Sequence, residues 1–329
     1  MRKATFSRRE LMARLAALSV LGIRLTDPRR AAAATTKGAL ARMKARYFRF
    51  ATAPFPYDGE RPDTGEQFLD VRGPGGRRGH NSPRGGTYYA DSTYSDSRVL
   101  VALPGGFDLH KKAAIVVFFH GNQAILDRDV VQRQRVLDQL QASRLNAALV
   151  APQFAVDALD SSAGRFWQPD AFARFMAEAA AALAEVWGAP AARASFARLP
   201  IILVAFSGGY YPAAYVLKLG GEGRRITGLV LLDALFGEND SFADWIENHH
   251  RSAFFFSAYT EAAAPENTAL RQQLKAEGIA SSTTRPRALE PGGITFLSSP
   301  GLEHRDYVTK AWVDDPLTWV FDRIPGLTR

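Results

Sequence analysis

The rhythm of hydrophobic positions in this chain changes at residue 98. From there on, short unbroken apolar runs alternate with stretches whose apolar residues recur every three or four positions. Arg98–Leu103, Ala113–Phe119, Ala147–Ala151, Ile201–Phe206, Ile226–Leu232, Ala253–Tyr259 and Ile294–Leu297 hold few polar residues, the pattern of strands buried on both faces. Leu126–Ser143, Phe172–Trp187, Tyr211–Leu219, Phe242–Asn248, Glu266–Glu277 and Pro316–Phe321 have the spacing of helices. Strands alternating with helices predict an α/β fold: a mostly parallel central sheet covered on both faces, in three α-β-α layers. The chain has no internal repeat and no Gly-rich phosphate loop. Gly220-Gly221-Glu222-Gly223 follows a helix and reads as its cap.

Residues 52–97 lack this rhythm. They are rich in Gly, Pro, Arg and Asp, as in Gly73-Pro74-Gly75-Gly76-Arg77-Arg78-Gly79-His80. Such composition reads as a long surface loop, an exposed connection with His80 as a solvated side chain. A place at the border of an active-site mouth is the other reading.

Charge is unevenly placed. The chain carries a net +8, but residues 1–50 hold 13 Lys/Arg against 2 Asp/Glu and the remainder 28 against 31. The basic character therefore belongs to the leader, and nothing in the body argues for nucleic-acid binding. Ser7-Arg8-Arg9-Glu10-Leu11-Met12 places a twin arginine ahead of the apolar run Leu11 to Ile23. At about 13 residues that run is too short to span a bilayer stably. Ala31 to Ala34 supply small residues for cleavage. Residues 1–34 thus resemble a twin-arginine export signal, which implies export machinery as a partner and a periplasmic or secreted mature protein with no stable membrane span. Arg14, Arg24, Arg29 and Arg30 equally fit a basic amphipathic helix. The chain has no cysteine, so it has neither disulfides nor thiolate metal sites. The organisation expected is a signal over 1–34, a loop-rich extension over 35–97 and the α/β domain over 98–329.

In a parallel sheet, ligands bind beyond the carboxyl ends of the strands. The polar residues just after each strand are therefore the candidates. Ile201–Phe206 runs into Ser207-Gly208-Gly209 and then a helix, so Ser207 sits on a sharp corner. Such a corner demands small residues two before and two after the serine, here Ala205 and Gly209. The N–H of Gly208, at a helix start, is placed to meet a developing oxyanion. Ala113–Phe119 exits into His120-Gly121-Asn122-Gln123. The N–H of Asn122 is the candidate second donor, and His120 is expected to hold that loop by a hydrogen bond. Asp233 directly follows Ile226–Leu232, and Glu261 follows the next strand; either carboxylate is placed to orient an imidazole. Asp233 is preferred because it abuts its strand and has the shorter side chain. Of the six histidines, His304 alone lies beyond both acids on a strand-exit loop. Phe154, Phe166 and Trp167 in the insertion Pro152–Asp170, with Tyr210, Tyr211, Phe236 and Trp245, are candidate aromatic walls for substrate; Phe154, Trp167 and Tyr210 are the choices for direct contact. A core role is the competing reading for each.

Together these pieces resemble the α/β-hydrolase fold family over about residues 98–325. The order Ser207, Asp233 or Glu261, then His304 matches that family's order of nucleophile, acid and histidine. Ala205-Phe206-Ser207-Gly208-Gly209 resembles its nucleophile elbow, with Ala in place of the first Gly, and His120-Gly121 its oxyanion loop. Most members carry the acid where Glu261 stands; a minority, including some thioesterase domains, carry it one strand earlier, as Asp233 would be. The resemblance implies acyl transfer through a covalent serine intermediate, with no cofactor or metal, on a small-molecule or cell-envelope acyl substrate. Acyl transfer to a non-water acceptor, or a binding role that keeps the fold, are the alternatives.

Overall fold

The computed structural model describes residues 43–329. The twin arginine, the apolar run Leu11 to Ile23 and the small residues Ala31 to Ala34 lie outside the described residues. Eleven strands are formed in chain order: β1 Lys44–Arg49, β2 Val71–Arg72, β3 Arg78–Asn81, β4 Thr87–Tyr89, β5 Arg98–Leu103, β6 Ala114–Phe119, β7 Ala147–Pro152, β8 Ile201–Phe206, β9 Ile226–Leu232, β10 Phe254–Tyr259 and β11 Ile294–Ser298. Eight of them make one sheet in the order β1-β5-β7-β6-β8-β9-β10-β11. β5 runs antiparallel to both β1 and β7, and every other pairing in this sheet is parallel. This is the three-layer, mostly parallel α/β architecture expected from the strand–helix alternation.

The continuous apolar runs are explained by the two cores they serve. Successive side chains of a strand point to opposite faces. Ile115, Val117 and Phe119 of β6, with Ile201, Leu203 and Ala205 of β8, enter one core under the helices Ala171–Trp187, Tyr210–Leu219, Asn239–His249 and Ala264–Ala276. Val116, Phe118, Ile202, Val204 and Phe206 enter the other, under the helices Val136–Ala142 and Pro316–Phe321. Among the described residues no helix is long and apolar enough to cross a membrane.

Three features depart from the sequence expectation. First, β1 is an edge strand carrying Lys44, Arg46 and Arg49. Its apolar signal is weak because charge on an exposed edge guards against pairing with other chains. Second, residues 52–97 are not a plain surface loop. β2, β3 and β4 form a small antiparallel sheet. Phe55, Phe68, His80 and Tyr94 are buried there, with the Phe68 and His80 rings 4.5 Å apart. Burying one such phenylalanine is worth roughly 1.5–3 kcal/mol, enough for a few anchors to fix a Gly/Pro-rich segment. His80 is accordingly not a solvated side chain. Third, the helix expected over Leu126–Ser143 is broken. Leu126–Arg133 is a wide π-helical stretch, Arg135 has φ 52°, and a regular helix resumes at Val136. The wide turn leaves Asp129 accepting from the N–H of Ile125 (2.9 Å), the Arg128 guanidinium (2.9 Å) and the Arg133 guanidinium (2.8 Å). Burial alone would raise the Asp129 carboxyl; the Ile125 N–H and the two guanidiniums hold it below its usual range.

Candidate active site

Parallel strands deliver their exit residues to one rim, and three exits here leave the sheet with a left-handed backbone. Gln123 has φ 56°, Ser207 φ 52° and Asp233 φ 44°. Such φ values are strained for residues with a Cβ, and this strain gathers at sites where side-chain placement matters. At Ser207 the chain turns from β8 into the one-turn helix Ser207–Gly209 and then into Tyr210–Leu219. The corner is tight enough to require glycine. A Cβ on Gly209 would lie 2.5 Å from the Phe119 carbonyl oxygen, and one on Gly121 2.7 Å from the Ser207 Cβ.

The Ser207 hydroxyl lies 2.7 Å from Nε2 of His304, and Nδ1 of His304 lies 2.6 Å from Oδ2 of Asp233. A carboxylate only accepts, so Nδ1 carries the proton and donates to Asp233, which leaves Nε2 to accept from the serine hydroxyl. Asp233 is fully buried. It also accepts from the Thr260 N–H (2.8 Å) and the Thr260 hydroxyl (2.9 Å), bonds that offset the cost of removing a carboxylate from water. The imidazole stacks on Phe206 at 5.2 Å and meets the edge of Phe236 at 5.9 Å. These rings restrict its rotation.

Glu261, the rival acid, stands elsewhere. Its carboxylate is exposed and accepts from the N–H of Gly301 at 2.9 Å. It therefore braces the loop that carries His304 without meeting the imidazole. Thr260 takes the strand-exit position after β10 and spends both its donors on Asp233.

The oxyanion candidates share this rim. Gly208 is the second residue of a one-turn helix, so its N–H has no carbonyl of that helix to bond. Asn122 lines the same cavity as Ser207 and His304. Its side-chain oxygen accepts from the Ser161 hydroxyl at 2.9 Å and roofs the Gly208 Cα so closely that a Cβ there would lie 2.2 Å from it. His120 is structural. It is buried; Nδ1 donates to the Gly121 carbonyl (2.7 Å), and Nε2 accepts from the N–H of Phe154 (2.9 Å) and the Gln153 amide (3.0 Å). Burial pushes the imidazole down to about 4.

That shift has a stability consequence. The native state keeps His120 neutral, whereas the unfolded chain takes up a proton near pH 6.5. The contribution of this group is fully present above that pH and is lost progressively as the pH falls toward 4, by about 3 kcal/mol in all. Urea unfolding at pH 7.5 and 4.5 is expected to show this loss. His120→Gln is expected to be less stable at pH 7.5 but to lose less on acidification; an unchanged pH dependence would remove His120 as its source.

The aromatic candidates divide. Phe154 and Phe166 are core residues: Phe154 packs on Phe119 at 5.0 Å and Phe166 at 6.0 Å, and it lines neither cavity at the rim. Trp245 is buried and stacks on His249 along its own helix. Trp167, Tyr210, Tyr211 and Tyr215 wall a cavity of about 320 Å³. Beside it, a cavity of about 480 Å³ holds Ser207, His304 and Asn122, and Arg84 lines both. Arg84 and Arg305 also line the Ser207 cavity and are not among the sequence candidates. Arg305's place beside His304 was the available signal; Arg84 lay in the stretch read as loop. Among the described residues no group of three or more His, Asp or Glu side chains is gathered as metal ligands.

No family model and no curated protein matches this chain. The chain is similar to several solved structures. A feruloyl esterase module from Clostridium thermocellum, complexed with sinapinate, is 18% identical over 83% of this chain and 96% of its own, with a TM-score of 0.43. An S-formylglutathione hydrolase from Agrobacterium tumefaciens is 14% identical over 74% and 93%, with a TM-score of 0.44. A cold-adapted esterase from an Arctic intertidal metagenomic library is 13% identical over 69% and 88%, with a TM-score of 0.37.

Proposed function

We propose that this protein is a serine hydrolase that cleaves an ester-like acyl bond. The observation that carries the reading is the unbroken hydroxyl–imidazole–carboxylate chain of Ser207, His304 and Asp233, with contacts of 2.7 and 2.6 Å. In this mechanism His304 Nε2 takes the Ser207 proton as Oγ attacks the acyl carbonyl. Asp233 fixes the imidazole tautomer and stabilises the cation that forms. The N–H groups of Gly208 and Asn122 bind the oxyanion of the tetrahedral intermediate; losing one such donor typically costs about 3 kcal/mol of barrier. Collapse expels the alcohol, which takes its proton from His304 and leaves an acyl-enzyme. Water, activated by the same imidazole, then releases the acid.

A panel of 4-nitrophenyl esters of rising chain length tests the reaction class. Turnover with a pre-steady-state burst is expected, because an acyl-enzyme accumulates when deacylation is slow. The same assay with added alcohol separates hydrolysis from transfer: a dominant alkyl-ester product would make the protein an acyltransferase. No turnover of any ester would favour a binding role. We further propose export of the mature protein, on the strength of Arg8 and Arg9 ahead of the apolar run. Replacing both by Lys is expected to retain the full chain in the cytoplasm; unchanged periplasmic or secreted recovery would remove that reading.

A further inference from the structure

Four arginines line the cavity around Ser207 and His304, and two of them are already neutralised. Arg128 contacts Asp129 and Asp157, each at 2.9 Å, and Arg133 contacts Asp129 at 2.8 Å. The other two, Arg84 and Arg305, make no side-chain hydrogen bond or ion pair with any described residue; only their backbones are held. Counting Asp129, Asp157 and the buried Asp233 behind the imidazole, the cavity keeps a positive excess. Both side chains are permanently charged at any working pH.

The backbones beneath these two arginines are fixed. Arg84 sits at the tip of the turn between β3 and β4, where Gly85 (φ 100°) and Gly86 (φ 92°) allow a tight reversal. The Ser82 hydroxyl donates to the Leu159 carbonyl at 2.8 Å and accepts from the Arg84 N–H at 3.2 Å, which pins the tip to the loop walling the cavity. Arg305 follows His304 directly in the one-turn helix His304–Asp306, and its carbonyl accepts from the Arg133 guanidinium at 2.8 Å. Two charged forks are thus presented from separate segments beside the nucleophile. Attack on a neutral ester uses neither of them: the proton path runs through His304, and the oxyanion faces backbone N–H groups.

We infer that Arg84 and Arg305 select substrates carrying an anionic oxyacid group, a carboxylate or a phosphate, next to the scissile acyl bond. This deepens, and rests on, the hydrolase reading above. A guanidinium makes charge-assisted, often bidentate bonds to such groups, and one that spends no bond inside the protein keeps its donors for a ligand.

The test compares mono-4-nitrophenyl adipate, which ends in a carboxylate, with the neutral 4-nitrophenyl hexanoate of equal chain length, with spontaneous hydrolysis subtracted. The parent protein is expected to show a higher kcat/KM for adipate. In Arg84→Ala and Arg305→Ala that preference is expected to fall by roughly ten- to hundred-fold, from the usual worth of a hydrogen bond to a charged group. Arg84→Lys is expected to restore part of it, and the preference is expected to shrink with added salt. A second arm measures inhibition of hexanoate turnover by inorganic phosphate, which reads a phosphate site without any variant. Preference for adipate points to a carboxylate and inhibition by phosphate to a phosphoryl group; either supports the inference. Turnover of hexanoate with neither effect overturns it while leaving the hydrolase reading intact. A preference unchanged in both alanine variants also overturns it. Absence of any ester turnover counts against the hydrolase reading instead.

Discussion

Ser207→Ala is expected to lower kcat for any ester that the parent protein turns over by at least about 10⁴-fold, because a covalent route without its nucleophile keeps only binding and oxyanion stabilisation. KM is expected to change little, since Oγ supplies bond formation and hardly any ground-state binding. The fold is expected to survive. Ser207 has φ 52°, a conformation alanine tolerates no worse than serine, and the glycines that make the corner tight are left in place. Steady-state kinetics, with far-UV circular dichroism as a folding control, check both halves. Retained kcat in a folded variant would mean that another group attacks.

The second large effect separates the two acids. Asp233→Asn is expected to reduce kcat by about 10⁴-fold, the scale on which losing the carboxylate leaves a histidine in the wrong tautomer. An amide nitrogen in place of Oδ2 would face Nδ1–H donor to donor, and Nε2 would no longer be held ready to accept from Ser207. Glu261→Gln is expected to cost less than about 10-fold: its contact with the Gly301 N–H is a neutral brace that an amide oxygen can also make. Measuring kcat for both variants against the same ester decides between them. Comparable large losses would mean that the Gly301 loop, and not the carboxylate on the imidazole, sets the reaction rate.

The sequence carried the strands well because burial on both faces forces continuous apolar runs, and β5, β8 and β9 begin and end where those runs do. Ser207, Asp233 and His304 were legible for a related reason. Each is the first strong polar signal beyond a strand or on the loop leaving it, and parallel strands bring such residues to one edge. The choice of acid was open in sequence because Asp233 and Glu261 occupy similar places on neighbouring strands. Their surroundings differ only in the folded chain: His304 and Thr260 bond Asp233, and the Glu261 side chain turns away toward Gly301. Phe154 and Trp167 lie in one insertion with the same aromatic character, and only packing sends one to the core and the other to a cavity wall.

Other features left weak traces in the sequence. β1 is half cationic and pairs by backbone bonds with β5, so its side chains hold no core pattern. Residues 52–97 look structureless because anchors such as Phe55, Phe68 and Tyr94 are widely spaced. Arg128 and Arg133 resemble Arg84 and Arg305 in sequence. Their difference lies in Asp129 and Asp157, which pair with Arg128 and Arg133, whereas no described carboxylate pairs with Arg84 or Arg305.

Labelling with a fluorophosphonate, followed by mass spectrometry of the digested protein, tests the central claim most directly. The account predicts a single adduct on Ser207, formed rapidly in the parent protein, slowly in Asp233→Asn and absent from Ser207→Ala. An adduct on any other residue, or none on a folded parent protein, would contradict it.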